Sequence, residues 1–295
     1  MKVLLFGHSG YVGHLVLKKL YETGNEIVCI SRRNTQNQLY PEVKYIKGDV
    51  LKPETYLKAL ENCDVIIYLP GLIREFPNKG ITFNNVHYAG VKYLVDNAEK
   101  YGVKKFVLLS ANGVRENAPT KYLQTKHLAE KYLMQSKLEW IIFRPSVIFG
   151  FENSAYKNFI TVIKDLSKMP LFFPVIGNGK YRFQPVSLNN LSDAIIYSIK
   201  EQNPKNKIFY ACGPEVLSYN EIVDIVLKSL KKKRIKLFIP IKFMLLLAKL
   251  FERYEWFPVS KEQIIMLLEE NICKGGENIF DYFPLKPLSF REINL

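Results

Sequence analysis

Short apolar segments alternate regularly with helical patterns over the first 150 residues of this chain. The apolar segments are continuous rather than interleaved with polar residues, which is typical of parallel strands covered on both faces. Such a repeat predicts an α/β fold of the Rossmann type, a doubly wound parallel sheet. The six predicted strands are Lys2–Phe6, Glu26–Ile30, Val43–Ile46, Asp64–Leu69, Lys105–Ser110 and Glu139–Arg144.

The alternation becomes irregular after Gly150, and the last part of the chain reads as helical and basic. We therefore predict a nucleotide-binding core in residues 1–150, to which residues 182–200 return. Residues 151–181 and 201–295 are predicted to form a smaller, mainly helical C-terminal lobe. Ligands of open α/β sheets bind outside the carboxyl ends of the strands, so a lobe over that edge predicts a small-molecule substrate site.

The amino-acid composition limits the classes of partner that the chain could bind. The chain has 42 Lys+Arg against 28 Asp+Glu, a formal net charge of +14, which is compatible with nucleic acid, anionic membranes or phosphorylated ligands. Nucleic acid is disfavoured because no helix-turn-helix, zinc-finger or RNA-binding aromatic motif is visible. Four cysteines without a C-x-x-C pair and four histidines without an H-x-x-x-H pair predict no metal site. The cysteines read as reduced thiols of a cytoplasmic protein.

A glycine-rich loop follows the first predicted strand and opens the first predicted helix. It reads Gly7-His8-Ser9-Gly10-Tyr11-Val12-Gly13, the pattern G-x-x-G-x-x-G. Glycines there allow a tight turn, close approach of a pyrophosphate and close packing of helix on strand, while the helix N-terminus attracts the phosphates. A glycine-rich turn without a ligand is the alternative. We predict a dinucleotide site with Gly7, Ser9, Gly10, Tyr11, Val12 and Gly13.

The end of the second strand bears on the choice of cofactor. It reads Ser31-Arg32-Arg33, without the acidic residue that usually accepts the ribose 2′-hydroxyl of NAD. Because guanidinium groups bind phosphate bidentately, the sequence favours NADP(H), with NAD(H) as the alternative and a solvated loop as the plain reading. Asp49 and Val50 follow the third strand, and the Asp49 carboxylate is predicted to accept from the adenine amino group or to form a turn.

Several segments beside the glycine loop carry a resemblance to a known family. They are Gly48-Asp49-Val50, Asn85-Val86, Tyr122-Leu123-Gln124-Thr125-Lys126, Arg144–Gly150, residues 177–186 and residues 258–263. With these residues the chain resembles the short-chain dehydrogenase/reductase superfamily in its extended and atypical NAD(P)-dependent epimerase/dehydratase branches. Within that superfamily, it is most similar to the group of the nucleotide-binding accessory subunit of respiratory complex I.

Tyr122 and Lys126 form the Y-x-x-x-K pair of that superfamily, although the spacing alone is common by chance. Four residues apart, they share a helix face. An ammonium beside a phenol is expected to lower the phenol pKa, so that Tyr122 exchanges a proton with a carbonyl or alcohol. The usual catalytic serine position falls on Ala111. Ser110 and Asn112 are the candidate substitutes, and turnover would be reduced or absent without that donor.

The resemblance implies further site residues. Lys126 would also hold the nicotinamide ribose, and Leu69, Pro70 and Gly71 would lie along the adenosine ribose. Pro145 and Val147 would contact the nicotinamide end of the cofactor, or simply form a rigid loop. Arg182 and Gln184 fall where extended members bind a substrate, although Arg182 reads equally well as a surface arginine.

A basic cluster precedes an apolar helical pattern in the C-terminal part. A basic cluster beside an apolar helix predicts docking on an anionic membrane surface or a protein complex, and packing on the lobe is the alternative. The basic residues are Lys228, Lys231, Lys232, Lys233, Arg234 and Lys236, and the helical pattern lies within Ile235–Phe251.

The sequence as a whole predicts one of two functions: an NADP(H)-dependent oxidoreductase or epimerase-like enzyme, or a non-catalytic or redox-sensing nucleotide-binding subunit peripheral to a membrane. Nucleotide-sugar epimerisation itself is weakened by Ala111.

Overall fold

The structure is a computed structural model, which describes residues 1–32, 40–150, 158–200, 204–252, 254, 257, 259–293 and 295. Within these residues, the centre of the molecule is an eight-stranded, wholly parallel sheet. The predicted Rossmann-type fold is confirmed. Across the sheet the order is β14 (Glu277–Asn278), β11 (Lys207–Ala211), β6 (Glu139–Pro145), β5 (Lys105–Leu109), β4 (Val65–Tyr68), β1 (Lys2–Phe6), β2 (Glu26–Ser31) and β3 (Lys44–Lys47).

The strand order reverses beside β1, which pairs with β2 on one side and with β4 on the other. Chain connections leave in opposite directions at such a point and open a crevice at the carboxyl ends of the strands. The glycine loop follows β1 and the turn Leu69–Gly71 follows β4, so both meet at this crevice.

Helices cover both faces of the sheet, as continuous apolar strands require. One face buries α1, α6 and α10, and the other buries α2, α3 and α4. The bounds are α1 Gly13–Tyr21, α2 Leu57–Leu60, α3 Gly90–Lys100, α4 Lys121–Met134, α6 Leu188–Ser198 and α10 Ile279–Tyr282, with a π-helical turn Asn84–Ala89 before α3 and 3₁₀ turns at Pro53–Thr55, Pro77–Lys79 and Phe290–Glu292.

A smaller lobe lies at the carboxyl edge of the sheet. Among the described residues it contains four helices and several strands of two to five residues, which form two-stranded sheets. Its own apolar cluster joins α5 and α7. The bounds are α5 Phe159–Leu166, α7 Tyr219–Ser229, α8 Ile241–Phe251 and α9 Lys261–Leu268, with β7 Ile148–Phe149, β8 Phe172–Ile176, β9 Arg182–Phe183, β10 Val186–Ser187, β12 Leu217–Ser218 and β13 Ile235–Ile239.

Two features of the C-terminal part differ from the sequence-based expectations. β11 and β14, expected in the smaller lobe, hydrogen-bond into the main sheet. The prediction of reduced thiols is wrong for Cys212 and Cys273, which form a disulfide with a Cα–Cα distance of 6.3 Å. The position of β14 and the disulfide have one cause: residues 261–283 return to the sheet across its carboxyl edge, and no local pattern encodes that path.

Among the described residues, no helix combines the length and apolar character needed to cross a bilayer. The same residues contain no cluster of three His, Cys, Asp or Glu side chains suited to a metal ion.

Candidate functional site

The glycine loop has the geometry of an anion cradle. Gly7 adopts a left-handed φ of +84°, and its carbonyl accepts from the Gly10 N–H at 3.0 Å. A Cβ on Gly13 would lie 2.0 Å from the Gly7 oxygen, so only glycine permits this approach of α1 to the loop. Helix α1 starts without a side-chain cap at Val12. No side chain therefore competes with a phosphate at the start of α1, although the His14 N–H donates to the Gly10 carbonyl, and the loop fits a dinucleotide.

The remaining loop residues divide between anchors and exposed positions. Val12 is buried in the core, and the Tyr11 hydroxyl donates to the Gly150 carbonyl at 2.6 Å. Ser9 and Gly10 are exposed at the rim. Val12 and Tyr11 thus anchor the loop to the protein, while the backbone at Ser9 and Gly10 faces the crevice.

The adenosine end of the crevice is described only in part. Ser31 ends β2 and Arg32 is exposed directly after it, whereas Arg33 lies outside the described residues. Asp49 forms a turn in which its Oδ1 accepts from the Leu51 N–H at 3.0 Å. Val50 is half-buried. The turn role of Asp49 is therefore seen, and its contact with adenine stays a prediction.

The turn after β4 lies between the glycine loop and Lys126 of the Tyr122–Lys126 pair. A Cβ on Gly7 would lie 3.0 Å from the Pro70 nitrogen, and a Cβ on Gly71 would lie 3.7 Å from Lys126 Nζ. Leu69 is buried beneath this turn. The structure thus brings the glycine loop, Leu69–Gly71 and Lys126 to one side of the crevice.

Tyr122 stands in the first turn of α4 with its ring edge-on to His87 and Phe83, at centroid distances of 5.2 and 5.7 Å. Within the described part of the chain, its hydroxyl makes no hydrogen bond. Burial raises the pKa of Tyr122 to about 12. The expected lowering of this pKa by Lys126 is wrong for the chain by itself, because desolvation of the phenolate dominates.

The Lys126 ammonium is directed at the backbone. Nζ donates to the Leu109 carbonyl at 2.8 Å. Burial lowers the pKa of Lys126 to about 8, against the raising influence of the Glu130 carboxylate.

His87 is a site residue that the sequence did not reveal. Its Nε2 accepts from the Leu72 N–H at 3.0 Å, and its Nδ1 lies 3.0 Å from Thr125 Oγ1. Burial, followed by the charge of Lys126, lowers the pKa of His87 to about 2, so the imidazole is neutral. It ties the turn after β4 to α4 and fixes the Tyr122 ring. A lone histidine in a helical pattern carries no signal for such a role.

Ser110 belongs to a buried polar network rather than to the crevice. Its hydroxyl donates to Glu130, which is fully buried and also accepts from Arg144. Arg144 Nη1 in turn donates to the Tyr210 hydroxyl at 3.0 Å. Glu130 is missing from the predicted site residues, although its spacing of four from Lys126 places it on the same helix face.

Asn112 and the end of β6 contact a segment that crosses the carboxyl edge of the sheet. We call residues 269–273 the strap. Asn112 Nδ2 donates to Asn271 Oδ1 at 3.0 Å and to the Ile272 carbonyl at 3.1 Å, and the Ser146 hydroxyl donates to the Asn271 carbonyl at 2.7 Å. Pro145 is buried and Val147 half-buried on either side of Ser146. The Asn112 amide is therefore already used by the protein.

The strap also engages both predicted substrate residues. Arg182 Nε and Nη2 donate to the two Glu270 carboxylate oxygens at 2.7 and 3.0 Å. Gln184 donates from Nε2 to the Gly213 carbonyl and accepts at Oε1 from the Cys273 N–H at 3.0 Å. The side chains that a substrate would contact are thus satisfied by the chain itself. Their substrate-binding role stays a prediction.

Comparisons with known proteins agree with this geometry. Residues 7–165, more than half of the chain, match the family model described as NAD(P)H-binding. The match includes the glycine loop, Tyr122 and Lys126.

Two relatives and one solved structure are informative. The 40 kDa subunit of mitochondrial NADH-ubiquinone oxidoreductase from Neurospora crassa is 24% identical over 292 residues, covering 96% of this chain and 75% of that protein. Photosystem II assembly factor Ycf39 of Synechocystis is 28% identical over 144 residues, covering 48% of this chain and 43% of that protein. UDP-glucose 4-epimerase of Thermotoga maritima, solved with UDP-glucose, has a TM-score of 0.69 at 17% identity, covering 81% of this chain and 86% of that one, which shows a shared fold alone. The resemblance to epimerase/dehydratase-type proteins and to the complex I subunit group is confirmed.

Proposed function

This chain belongs to the NAD(P)H-binding family, and we propose that it holds NADP(H) as a bound nucleotide without turning over a separate substrate. The observation that carries the proposal is the strap, which satisfies Arg182 and Gln184 with the chain's own Glu270 and Cys273. The absence of a serine at position 111 points the same way. The glycine loop can hold a nucleotide, whereas the strap occupies the side of the crevice where a substrate would bind. Such a site suits nucleotide binding better than catalysis.

The nucleotide would be held by the groups that converge on the crevice. Backbone N–H groups of the glycine loop suit the pyrophosphate, and Lys126 suits the nicotinamide ribose. Arg32 suits a 2′-phosphate, which favours NADP(H) over NAD(H). Bound NADPH supplies a hydride at the nicotinamide C4. The two relatives are named as a subunit and as an assembly factor, which fits a chain that acts inside a larger assembly.

A turnover assay tests the proposal. The protein with its disulfide intact is loaded with NADPH and mixed with a panel of aldehydes, ketones and quinones, with Tyr122→Phe as the matched variant. We expect the NADPH absorbance to decay no faster than in Tyr122→Phe. Oxidation that falls on the order of a hundredfold in Tyr122→Phe would instead establish general acid catalysis and overturn the proposal.

The second candidate function is that of a reductase, and one observation favours it. The Tyr122 hydroxyl has no hydrogen-bond partner within the described residues, so it is available to a substrate carbonyl. Its pKa of about 12 leaves it protonated at neutral pH, as a proton donor must be. The turnover assay decides between the two functions.

The smaller lobe carries a surface suited to docking. On α8, Phe243, Leu246 and Leu250 are 53%, 54% and 53% exposed, and Lys242 and Lys249 flank them. On β13, Ile235 and Leu237 are 64% and 53% exposed. We call these residues, with Lys231 and Lys233, the basic apolar face.

We propose that an anionic membrane surface covers the basic apolar face. Scattered exposed apolar residues are normal, but five on two consecutive elements with four lysines match the composition of an interfacial element. Part of the predicted basic cluster has another role, since Lys232 donates to Ser167 and Arg234 to the Met169 carbonyl. The exposed lysines are the ones left to meet lipid phosphates. Each contributes about 1 kcal/mol near such a surface.

Vesicle flotation tests this surface. We expect the protein to float with vesicles containing phosphatidylserine and not with phosphatidylcholine alone, and high salt to release it. The double variant Lys242→Glu, Lys249→Glu should weaken binding by about tenfold or more. Leu128→Ser, an exposed apolar position on α4, is the control that should bind normally. Equal flotation of the charge variant would place membrane binding outside this face, and no flotation of the native protein would point to a protein partner instead.

A further inference from the structure

We propose that the Cys212–Cys273 disulfide is a thiol-controlled latch on the strap. With the bond formed, the strap covers the substrate side of the crevice. After reduction the strap leaves, and Arg182, Gln184 and Asn112 become available to a ligand. The inference rests on the proposed function, in which the closed strap keeps substrates out.

The disulfide is placed where it can hold the strap. Cys212 follows β11 directly and is fully buried, so it is a fixed anchor in the main sheet. Cys273 is the last residue of the strap and is half-buried. The bond therefore joins the C-terminal end of the strap to the sheet edge that the strap crosses.

Both ends of the strap have backbone suited to a change of direction. Glu270 adopts a left-handed φ of +58°, which is unfavourable for a residue with a side chain. Gly275 and Gly276 follow Cys273 with φ of +96° and +82°. Two consecutive glycines in this region make a permissive joint before β14. The strap thus has a residue in a left-handed conformation near its start and a pair of glycines just after its end.

The other contacts that hold the strap are polar and partly exposed. Arg182 and Glu270 are 53% and 27% exposed in their ion pair, and Arg115 also pairs with Glu269. Ion pairs this exposed contribute little to stability. None of the strap residues, all of which are described, belongs to a hydrophobic cluster. Once the covalent bond is removed, the strap is held by these ion pairs and by hydrogen bonds with Asn112, Ser146, Arg182 and Gln184.

The chemistry is thiol–disulfide exchange with a dithiol as reductant. A dithiol thiolate attacks one sulfur of the bond, forms a mixed disulfide and releases the other cysteine as thiolate, which takes up a proton. The second thiol of the reductant then displaces the bound cysteine. The balance is one protein disulfide and one dithiol converted to two protein thiols and one cyclic disulfide.

The two remaining cysteines are not expected to react in a thiol-alkylation assay of the folded protein. Cys29 and Cys63 are buried in the two faces of the core, and burial raises the pKa of Cys63 to about 11 and that of Cys29 further. Thiols of this kind react slowly. Alkylation that appears on reduction of the folded protein therefore reports Cys212 and Cys273.

Hydrogen exchange on the full chain with NADPH bound tests the latch. The Asn271 N–H donates to the Arg182 carbonyl and the Cys273 N–H to Gln184, so both amides are protected while the strap is closed. With dithiothreitol, we expect their exchange to accelerate on the order of tenfold or more while the exchange of β1 stays constant. Cys273→Ser should show the fast exchange without reductant. Cys63→Ser is the matched control that should behave as the native chain.

Two results would overturn the latch. One is unchanged exchange at residues 271 and 273 after alkylation has shown that the bond is reduced. The other is alkylation of Cys212 and Cys273 without any reductant, because the bond would then not form. The reduction of native protein gives the answer even where Cys273→Ser folds poorly. Turnover by the oxidised protein would contradict the proposed function, while the exchange of the strap would still report the latch.

Discussion

Replacing Gly13 by alanine is expected to weaken NADPH binding by on the order of a hundredfold, about 2.7 kcal/mol. The added Cβ would lie 2.0 Å from the Gly7 oxygen and 2.7 Å from His8 Cα, both of which are backbone atoms. The loop must therefore move away from the start of α1, and hydrogen bonds to the pyrophosphate are lost. Each such bond to a charged group contributes about 1.5–3 kcal/mol. Fluorescence titration with NADPH measures the loss.

Gly24→Ala is the matched control for this effect. Gly24 also has a left-handed φ, of +69°, but a Cβ there meets no atom within 4 Å. The variant should lose about 1 kcal/mol of stability from backbone strain, and it should bind NADPH as the native chain does. If Gly13→Ala binds NADPH normally, or if Gly24→Ala loses the same affinity, the glycine loop is not the phosphate cradle.

Glu130→Ala is expected to lower the free energy of unfolding by about 3–5 kcal/mol. Glu130 is fully buried and accepts from both Ser110 and Arg144. Its removal leaves the Arg144 guanidinium without its carboxylate in a site where the Arg144 side chain is only 14% exposed. An uncompensated buried charge of this kind is strongly destabilising. Urea unfolding monitored by circular dichroism gives the difference.

Two further variants show whether the charge is the cause. Asp165→Ala removes the exposed pair with Lys168 and should cost less than about 1 kcal/mol. Glu130→Ala combined with Arg144→Met removes both buried charges and should recover part of the lost stability. A cost below about 1 kcal/mol for Glu130→Ala, or no recovery in the double variant, would contradict the role of the network.

The core of the fold was predictable because its signals are local. Each predicted strand is recognisable as a continuous apolar segment, and the glycine loop directly follows the first of them. Tyr122 and Lys126 share a helix face by spacing alone, and the same spacing extends to Glu130. Glu130 could therefore have been found from the sequence, had burial of its carboxylate been considered.

The strap was not predictable in this way. Cys273 meets Cys212 across 61 residues of sequence, and Glu270 meets Arg182 across 88. Nothing in the residues around Cys273 indicates that this segment crosses the carboxyl edge of the sheet. The direction in which the Tyr122 pKa is shifted was mispredicted for a related reason. It depends on how deeply the folded chain buries the phenol, and spacing does not report burial.

A comparative titration of the native chain with NADPH and NADH tests whether the crevice holds NADP(H). With Arg32 at the end of β2 and no acidic residue there, NADPH is predicted to bind with one-to-one stoichiometry and about tenfold or more tighter than NADH. Arg32→Ala should narrow that difference. Equal affinities, tighter binding of NADH or the absence of binding by either nucleotide would contradict the account.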